Sequence, residues 1–193
     1  MSHYFKYDPG LKNDERGLPV TVLGHDFIFK TNAGMFSREA ADRASLLLIE
    51  NVPRVSGKLL DLGCGYGLIG VALAKAYGAP LTMSDVNPRA LEYAAINAKQ
   101  NGVAAEIILS DGFENINGKF DCVVTNPPIH AGKNVTFHMY AEARGRLAPG
   151  GSFYAVIQKK HGAESAFARL SEIYGTCEII YKKKGYFIFR CGV

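Results

Sequence analysis

The sequence contains no C-x-x-C pair, no apolar run long enough to cross a membrane and no large excess of charge of one sign. Its four cysteines stand far apart without a histidine cluster, which excludes the usual structural zinc sites and predicts no metal. We expect free, mostly buried thiols in a reducing cytoplasm. The longest apolar stretches fall well short of the ~18 residues of a transmembrane helix, and residues 1–10 lack the apolar core of a signal peptide. We therefore expect a cytoplasmic protein.

The composition is typical of a globular protein. The 193 residues are 48% hydrophobic and 21% charged, and 22 basic against 18 acidic side chains leave a formal net charge of +4. These values exclude disordered, collagen-like and coiled-coil chains, and the length suffices to bury a core without a disulfide or a metal. The mild positive charge permits an anionic partner but does not indicate one. We expect a single domain over residues 1–193.

An N-terminal extension precedes the main body of this domain. Two β-like runs at residues 20–23 and 27–29 predict a hairpin. A loop over residues 31–36 follows, and Ser37 is the predicted N-cap of the first helix. We expect residues 1–36 to pack on the domain and to help to form the substrate side of its site.

Strand-like and helix-like segments alternate in the rest of the chain. The predicted strands are residues 59–62, 81–84, 106–109, 120–125, 153–157, 177–181 and 186–190. The predicted helices are residues 68–76, a segment with Asn87 as N-cap and Pro88 as first residue that Gly102 closes, and residues 136–147 and 163–174. The third of them should end before Pro149-Gly150-Gly151. This alternation predicts an α/β fold with a mostly parallel sheet and helices on both faces. The last two strands are joined by a turn too short for a crossover, so the final strand must run antiparallel.

The first of these strands ends in an acidic, glycine-rich loop with the sequence Asp61-Leu62-Gly63-Cys64-Gly65-Tyr66-Gly67. Its glycines allow a tight turn and a close approach of the backbone to a ligand. With Gly70 they also form a G-x-G-x-x-G pattern, which would place the pyrophosphate of a dinucleotide on the following helix. The carboxylate of Asp61 would repel a pyrophosphate and suits a cationic group such as an α-ammonium. On these residues alone, both kinds of ligand remain open.

Further acidic residues follow the next two strands. Asp85 stands 24 residues after Asp61 (85 − 61 = 24), where a carboxylate accepts hydrogen bonds from the ribose hydroxyls of an adenosine-containing cofactor. Ser110-Asp111-Gly112 follows the third strand. An isolated Asp at such a place is usually a cap or a turn residue. Three acids after three successive strands indicate instead one ligand site at the carboxyl ends of the strands.

The fourth strand ends in Asn126-Pro127-Pro128-Ile129. Both prolines fix their φ angles and lack an amide N–H, so the Asn126 side chain and the backbone carbonyls are the polar groups left at this turn. Such a rigid set of acceptors can hold an NH₂ group and leave its nitrogen lone pair free to point at a methyl donor.

The glycine loop and this turn together resemble class I S-adenosylmethionine-dependent methyltransferases, in particular members that methylate amino groups on planar systems. The longer run from Asn126 to Lys133, with residues 31–37 upstream, is similar to the methyltransferase small domain of small-subunit ribosomal RNA guanine-N2 methyltransferases. The resemblance covers nearly the whole chain from about Tyr4 onward. It implies a Rossmann-like class I methyltransferase fold, S-adenosylmethionine as cofactor and methylation of guanine N2. It also implies ribosomal RNA, or the small-subunit particle, as partner.

The resemblance implies roles for individual residues. The implied catalytic residues, which would hold the amine during methyl transfer, are Asn126, Pro127 and Pro128. The implied cofactor-binding residues are Asp61, Gly63, Cys64, Gly65, Gly67, Asp85, Val86, Asn87, Asp111, Gly112 and Asn126. The implied substrate-binding residues are Phe36, Ile129, His130 and Lys133.

Basic residues follow the fourth and fifth strands, where they could contact a phosphate backbone. They are Lys133, Arg144, Arg146, Lys159, Lys160 and His161. The run Lys182-Lys183-Lys184 is interpreted differently, as a charged turn that keeps the edge of the sheet soluble.

Three other functions compete with this interpretation. A protein glutamine methyltransferase would use the same Asn-Pro-Pro turn, although that group usually carries an aromatic residue where Ile129 stands. A nicotinamide-dependent oxidoreductase would use the G-x-G-x-x-G pattern but leaves Asn126-Pro127-Pro128 unexplained. A non-catalytic RNA-binding domain would need neither the three acids nor Asn126.

Overall fold

The computed structural model describes residues 14–33, 35, 39–128 and 132–193. The strands are β1 (Arg16–Val22), β2 (His25–Thr31), β3 (Leu59–Leu62), β4 (Leu81–Asp85), β5 (Ala105–Leu109), β6 (Phe120–Thr125), β7 (Leu147–Gln158), β8 (Thr176–Lys183) and β9 (Tyr186–Gly192). The helices are α1 (Arg43–Asn51), α2 (Leu68–Tyr77), α3 (Pro88–Gln100), α4 (Lys133–Arg146) and α5 (Ala163–Tyr174), with a 3-10 turn at Lys159–His161. None of the described helices is long and apolar enough to span a membrane.

Seven of the strands form one sheet in the order β5-β4-β3-β6-β7-β9-β8. Neighbouring strands from β5 to β7 are parallel, whereas β9 runs antiparallel to both β7 and β8. This confirms the predicted mostly parallel α/β sheet with an antiparallel last strand. The carboxyl ends of β3 to β7 meet at one edge of the sheet, which we call the carboxyl edge.

Helices cover both faces of the sheet. On one face α1, α2 and α3 pack over buried strand residues such as Leu59 and Met83. On the other face α4 and α5 pack over Leu60 and Phe153. Because successive residues of a strand point to opposite faces, and both faces are covered, nearly every residue of the central strands β3, β4 and β6 is buried.

The hairpin of β1 and β2 forms a separate two-stranded sheet, and β2 packs on α3. Side-chain amides of α3 and of its C-cap residue, Asn101, take the place of a third strand. Asn97 accepts from the N–H of Lys30 at 2.6 Å and donates to its carbonyl at 2.9 Å, and Asn101 pairs with Ile28 in the same way at 3.2 and 3.1 Å. Asn97 also donates to the carbonyl of Tyr66 at 2.9 Å. The hairpin is therefore present as predicted, and Asn97 ties it to the glycine loop after β3.

The first helix begins later than the sequence predicted. Its N-cap is Asp42, whose Oδ2 accepts a hydrogen bond from the N–H of Ser45 at 2.8 Å. The N-cap expected at Ser37 is therefore wrong, and Ser37 itself lies outside the described residues. Both residue types are good caps, but a carboxylate accepts a stronger, charge-assisted hydrogen bond than a hydroxyl does.

The strand β7 begins earlier than predicted, at Leu147, and runs through Pro149-Gly150-Gly151. Leu147 pairs with Phe120, and the ladder then shifts register. The N–H of Gly150 donates to the carbonyl of Val193 at 3.2 Å, and the N–H of Val193 donates to the carbonyl of Gly151 at 3.3 Å. The two glycines remain in the strand because neighbouring backbone supplies hydrogen-bond partners for them.

Candidate active site

A cavity of about 690 Å³ opens at the carboxyl edge of the sheet. Its wall is formed by the loops after β3, β4, β5 and β6, by the start of α1 and by one face of α4. The chain order of the strands reverses between β3 and β6, and open α/β sheets bind ligands at such a switch point. The volume lies in the range of pockets that hold small organic ligands.

The glycine loop after β3 forms one side of the cavity. The N–H groups of Gly63 and Cys64 both donate to the carbonyl of Ser84 at 2.9 Å, and the N–H of Gly65 donates to Oδ2 of Asp85 at 2.8 Å. Gly63 and Gly65 have positive φ angles of 70° and 56°, and a Cβ on either would meet no other atom within 4 Å. The loop therefore presents bare backbone to an open cradle that side chains would otherwise fill.

Asp61 lies beneath this loop and not in the cavity wall. It is fully buried, its Oδ2 accepts from the N–H of Gly70 at 2.7 Å, and its Oδ1 has no hydrogen-bond partner in the described part of the chain. Burial raises the pKa of Asp61 to about 7, and the hydrogen bond from Gly70 opposes this rise. Asp61 thus holds the start of α2 in place, while its predicted contact with a cofactor ammonium stays a prediction.

Asp85 connects the glycine loop to α3. Its Oδ1 accepts from the N–H of Asn87 at 2.9 Å, in addition to the bond from Gly65 to Oδ2. Burial raises the pKa of Asp85, and these N–H groups lower it. The carboxylate lines the cavity and keeps acceptor capacity for hydroxyl groups. Val86 lines the cavity beside it, whereas Asn87 lies outside and caps α3 by accepting from the N–H of Arg89 at 3.0 Å.

The loop after β5 brings Asp111 and Gly112 to the cavity. Ser110 stiffens this loop, because its hydroxyl donates to the carbonyl of Gly112 and accepts from the N–H of Asn115, both at 3.1 Å. Asp111 is exposed, and no described residue donates a hydrogen bond to its carboxylate. The Asp111 side chain is therefore available to accept from a ligand.

The Asn126-Pro127-Pro128 turn lines the cavity after β6. Nδ2 of Asn126 donates to Oδ2 of Asp42 at 2.9 Å and to the hydroxyl of Ser45 at 3.1 Å. The amide nitrogen of Asn126 thus has two acceptors, and within the described part of the chain nothing donates to its Oδ1. This arrangement fixes the orientation of the amide and leaves its oxygen as a free acceptor.

Asp42 and Ser45 are site residues that the sequence reasoning missed. Both line the cavity, and the Ser45 hydroxyl also bonds to Oδ2 of Asp42 at 3.0 Å. One signal in the sequence could have found Asp42: an Asp shortly before an apolar helical run is a candidate N-cap. That pattern identifies the cap but not its contact with Asn126.

One face of α4 closes the cavity on the side of the β5 loop. Asn134, His138 and Glu142 lie on it at helical spacing, and Nε2 of His138 is 3.6 Å from Oε2 of Glu142. The end of β7 contributes Gln158. The sequence indicated the helix but not which of its faces meets the cavity, since its apolar pattern is weak.

The cavity is acidic. The carboxylates in its wall belong to Asp42, Asp85, Asp111, Glu114 and Glu142. Among the described residues, no lysine or arginine lines it. Burial, together with the charges of Asp61 and Asp85, raises the pKa of the Cys64 thiol, so Cys64 contributes a small protonated side chain. The balance of charge favours a cationic ligand and disfavours a pyrophosphate.

Several predicted residues do not reach this cavity. Gly67 lies behind the loop as the N-cap of α2, where an added Cβ would meet Sδ of Met83 at 3.0 Å. The helix α4 begins at Lys133, three residues before Thr136, where its start was predicted. Lys133 lines a separate pocket of about 30 Å³. The predicted substrate residues Phe36, Ile129 and His130 lie outside the described residues. No described residue of the hairpin lines the cavity, so its described part contributes to the site through α3 and Asn97.

A family model supplies the decisive comparison. The model of the methyltransferase small domain matches residues 26–190. The chain belongs to the methyltransferase small domain family. This confirms the resemblance drawn from the two motifs, and the chain is an S-adenosylmethionine-dependent methyltransferase with the class I fold. The nicotinamide-dependent oxidoreductase is thereby excluded, in agreement with the acidic cavity.

Individual relatives of this methyltransferase differ in length. It is 39% identical over 194 residues to the uncharacterized protein YbxB of Bacillus subtilis (strain 168), covering 97% of this chain and 96% of that protein. It is 33% identical to ribosomal RNA small subunit methyltransferase C of Shewanella halifaxensis (strain HAW-EB4), covering 81% of this chain and 46% of that protein.

A solved structure also supports the class I methyltransferase fold. The T. thermophilus 16S rRNA N2 G1207 methyltransferase, in complex with AdoMet and guanosine, superposes with a TM-score of 0.82 at 27% identity. The match covers 95% of this chain and 51% of that one. The chain thus spans about half the length of the ribosomal RNA methyltransferases that it matches.

The residues of the cavity fit the family's cofactor. Two buried side-chain atoms have no hydrogen-bond partner in the described residues and belong to residues that line the cavity: the Tyr66 hydroxyl and the Ser84 hydroxyl. Unsatisfied buried polar atoms are rare and call for a partner. Together with the bare backbone at Gly63 and Gly65 and the acidic wall, they match a ligand that carries polar groups and a positive charge.

Proposed function

We propose that this methyltransferase transfers a methyl group to the exocyclic N2 amine of a guanine in small-subunit ribosomal RNA. The observation that carries the proposal is the orientation of Asn126, whose amide NH₂ group donates to Asp42 and Ser45 while its oxygen is free in the cavity. An acceptor fixed in this way suits an NH₂ group as substrate.

Residues on the β3 to β5 side of the cavity would hold the cofactor. S-adenosylmethionine, when bound, supplies a methyl group already activated on a sulfonium. Gly63 and Gly65 would make room for its methionine part, Asp85 would accept from its ribose hydroxyls, and Asp111 would accept from its adenine amino group. The acidic wall would stabilise its positive charge.

Asn126 and the two prolines would hold the substrate amine. Oδ1 of Asn126 and the carbonyl of Pro127 would accept its two N–H groups, and neither proline offers an N–H that could compete. Hydrogen bonds of this kind stabilise positive charge on the nitrogen as it attacks, and they set the direction of attack. A base in paired RNA would have to leave its stack to reach this turn.

The relatives support this choice of substrate. The T. thermophilus neighbour is a 16S rRNA N2 G1207 methyltransferase whose structure holds guanosine, and the S. halifaxensis relative is a ribosomal RNA small subunit methyltransferase. We extend their substrate class to this chain because its free acceptor at Asn126 suits the same exocyclic amine.

Two substitutions test the proposal, because one should lower the rate of methyl transfer and the other should weaken cofactor binding. In single-turnover methyl transfer to small-subunit ribosomal RNA or particles at saturating cofactor, Asn126→Ala should lower the rate by a factor on the order of 10² while cofactor affinity, measured by calorimetry, stays within about twofold. Asp85→Ala should instead weaken cofactor binding by roughly 1.5–3 kcal/mol, because it removes a charged hydrogen-bond acceptor.

The product must also be identified, since the turn at Asn126 would accept other amines. Nucleoside mass spectrometry of the labelled RNA should find N2-methylguanosine. Label in protein glutamine and not in RNA would replace the proposed substrate with a protein. Full activity of Asn126→Ala would remove Asn126 from the reaction.

A further inference from the structure

Two lysine-containing segments meet at the carboxyl edge of the sheet beside the cavity. Lys159 and Lys160 follow β7, and Lys182, Lys183 and Lys184 lie at the end of β8 and in the turn to β9. We call these five lysines the basic edge. Because β8 runs antiparallel to β9, and β9 antiparallel to β7, the ends of β7 and β8 point the same way.

The strand register connects the basic edge to the cavity wall. Gln158, which lines the cavity, pairs with Tyr186 of β9, and Tyr186 pairs with Lys183 of β8. These three residues form one row across the sheet, and paired residues in adjacent strands point to the same face. Two strand spacings of ≈ 4.8 Å place Lys183 about 10 Å from Gln158 along that row.

A backbone contact holds the two segments together. The N–H of Lys159 donates to the carbonyl of Gly185, in the turn between β8 and β9, at 2.7 Å. The 3-10 turn and the β8–β9 turn are therefore one surface with a fixed shape. Tyr186, which is only half-buried, lies within that surface and offers an aromatic ring.

The charges of the basic edge are not neutralised by the described part of the protein. All five lysines are exposed, and no described acidic side chain forms an ion pair with any of them. Lys182 instead lies over the ring of Phe187, with Nζ 5.0 Å from its centroid. The acidic residue of β8, Glu178, lies near the other end of that strand and pairs with Arg190 at 3.2 Å.

The cavity and the basic edge thus have opposite charges. A polyanion would be repelled by the carboxylates of the cavity and attracted by the lysines next to it. A nucleic acid meets both conditions, since an uncharged base can enter the cavity while the phosphates stay outside. A half-buried aromatic ring beside the lysines is also common in single-strand binding surfaces.

We propose that the basic edge binds the RNA backbone next to the nucleotide whose base enters the cavity. This inference rests on the proposed RNA substrate. It gives Lys182, Lys183 and Lys184 a role in substrate binding, in place of the solubilising role expected from the sequence, because they lie at the same edge as the cavity.

A charge-matched pair of triple variants tests the inference. The first is Lys182→Gln/Lys183→Gln/Lys184→Gln. The control is Lys58→Gln/Lys75→Gln/Lys99→Gln, which removes the same charge from exposed lysines near the starts of β3, β4 and β5, at the opposite edge of the sheet. Circular dichroism and cofactor calorimetry should find both variants folded, with unchanged affinity for S-adenosylmethionine.

Methyl transfer to naked small-subunit ribosomal RNA then separates the two variants. We expect the basic-edge variant to raise KM for RNA at least tenfold with little change in kcat at saturating RNA, and the control to stay within about twofold of wild type. The slope of log K for RNA binding against log salt concentration should become shallower by about 0.7 for each phosphate that the variant no longer binds, up to about 2 for three lysines.

Equal KM values and equal salt slopes for the two triple variants would overturn the inference while leaving the proposed function intact. The wild-type protein is assayed first in the same experiment. If wild type binds RNA no better than a neutral protein and methylates none, the proposed function and the inference both fail.

Discussion

Asp42 and Asn126 lie 84 residues apart in the chain, and Nδ2 of Asn126 donates a hydrogen bond to Oδ2 of Asp42 at 2.9 Å. The same carboxylate oxygen caps α1 by accepting from the N–H and the hydroxyl of Ser45. One side chain thus starts the first helix and orients the amide at the end of β6. Asp42 is a positioning residue, because it acts on the substrate through Asn126.

The first prediction separates these two roles of Asp42. Asp42→Asn keeps an N-cap and an acceptor for Asn126, so stability should be nearly unchanged and single-turnover methyl transfer should fall less than about tenfold. Asp42→Ala should lose about 1 kcal/mol of stability and lower the rate by a factor on the order of 10², because the Asn126 amide can rotate. Equal rates for the two variants would show that the hydrogen bond does not position Asn126.

A double exchange provides a stricter test of the same pair. Asn126→Asp alone places two carboxylates in contact and removes the donor, so it should be nearly inactive. Combining it with Asp42→Asn restores one donor and one acceptor in exchanged positions, and partial recovery of the rate is expected. If the double variant is as inactive as Asn126→Asp, the orientation argument is contradicted.

The second prediction concerns the pH dependence of stability at Asp61. Burial raises the folded-state pKa of this acid from 3.8 to about 7. Between these values the folded state binds more protons at Asp61 than the unfolded state does, so its contribution to stability falls as pH rises, by at most about 1.4 kcal/mol per pH unit. In urea unfolding from about pH 4 to about pH 7, the free energy of unfolding of Asp61→Asn should rise relative to that of wild type as pH rises. A constant difference would mean that Asp61 titrates normally.

The third prediction concerns the link between the hairpin and the glycine loop. Asn97 is fully buried and bonds to Lys30 and to the carbonyl of Tyr66. Asn97→Ala leaves these backbone groups without partners and should lower the free energy of unfolding by roughly 2–4 kcal/mol. It should also weaken cofactor binding, since Tyr66 belongs to the loop. Asn101→Ala, at a residue that bonds to Ile28 without contacting that loop, is the matched control and should leave cofactor affinity unchanged.

The fourth prediction compares two helical glycines. A Cβ on Gly70 of α2 would stand 2.9 Å from Cβ of Asp61 and 3.0 Å from Cδ1 of Leu81, whereas one on Gly145 of α4 would meet nothing within 4 Å. Gly70→Ala should therefore destabilise the protein by about 1–3 kcal/mol, and Gly145→Ala should stabilise it by up to about 1 kcal/mol. Thermal unfolding of both variants measures the difference, and similar melting temperatures would contradict the close packing at Gly70.

Much of the fold could be predicted because its signals are local. Asn87 and Pro88 begin α3 as expected, since a side-chain cap and a proline at the first helical position act within a few residues. A parallel strand such as β6 was recognisable because burial on both faces makes it largely apolar. The prediction failed where a segment distant in the chain supplies the hydrogen bonds. Pro149-Gly150-Gly151 was expected to lie before the fifth strand but belongs to β7, and its hydrogen-bond partners include Val193.

The candidate active site likewise has features that local sequence predicts and features that only packing decides. The sequence by itself determined the acids and the Asn-Pro-Pro turn that follow the strands, because the ends of parallel strands meet at one edge in any sheet of this class. Only the tertiary structure decided that Asp61 lies beneath the loop, that Asp42 orients Asn126 and that Lys183 stands in one row with Gln158. Each of these depends on which helix covers which face and on which strand pairs with which. Packing and backbone pairing between distant segments set those choices, and no short stretch of sequence records them.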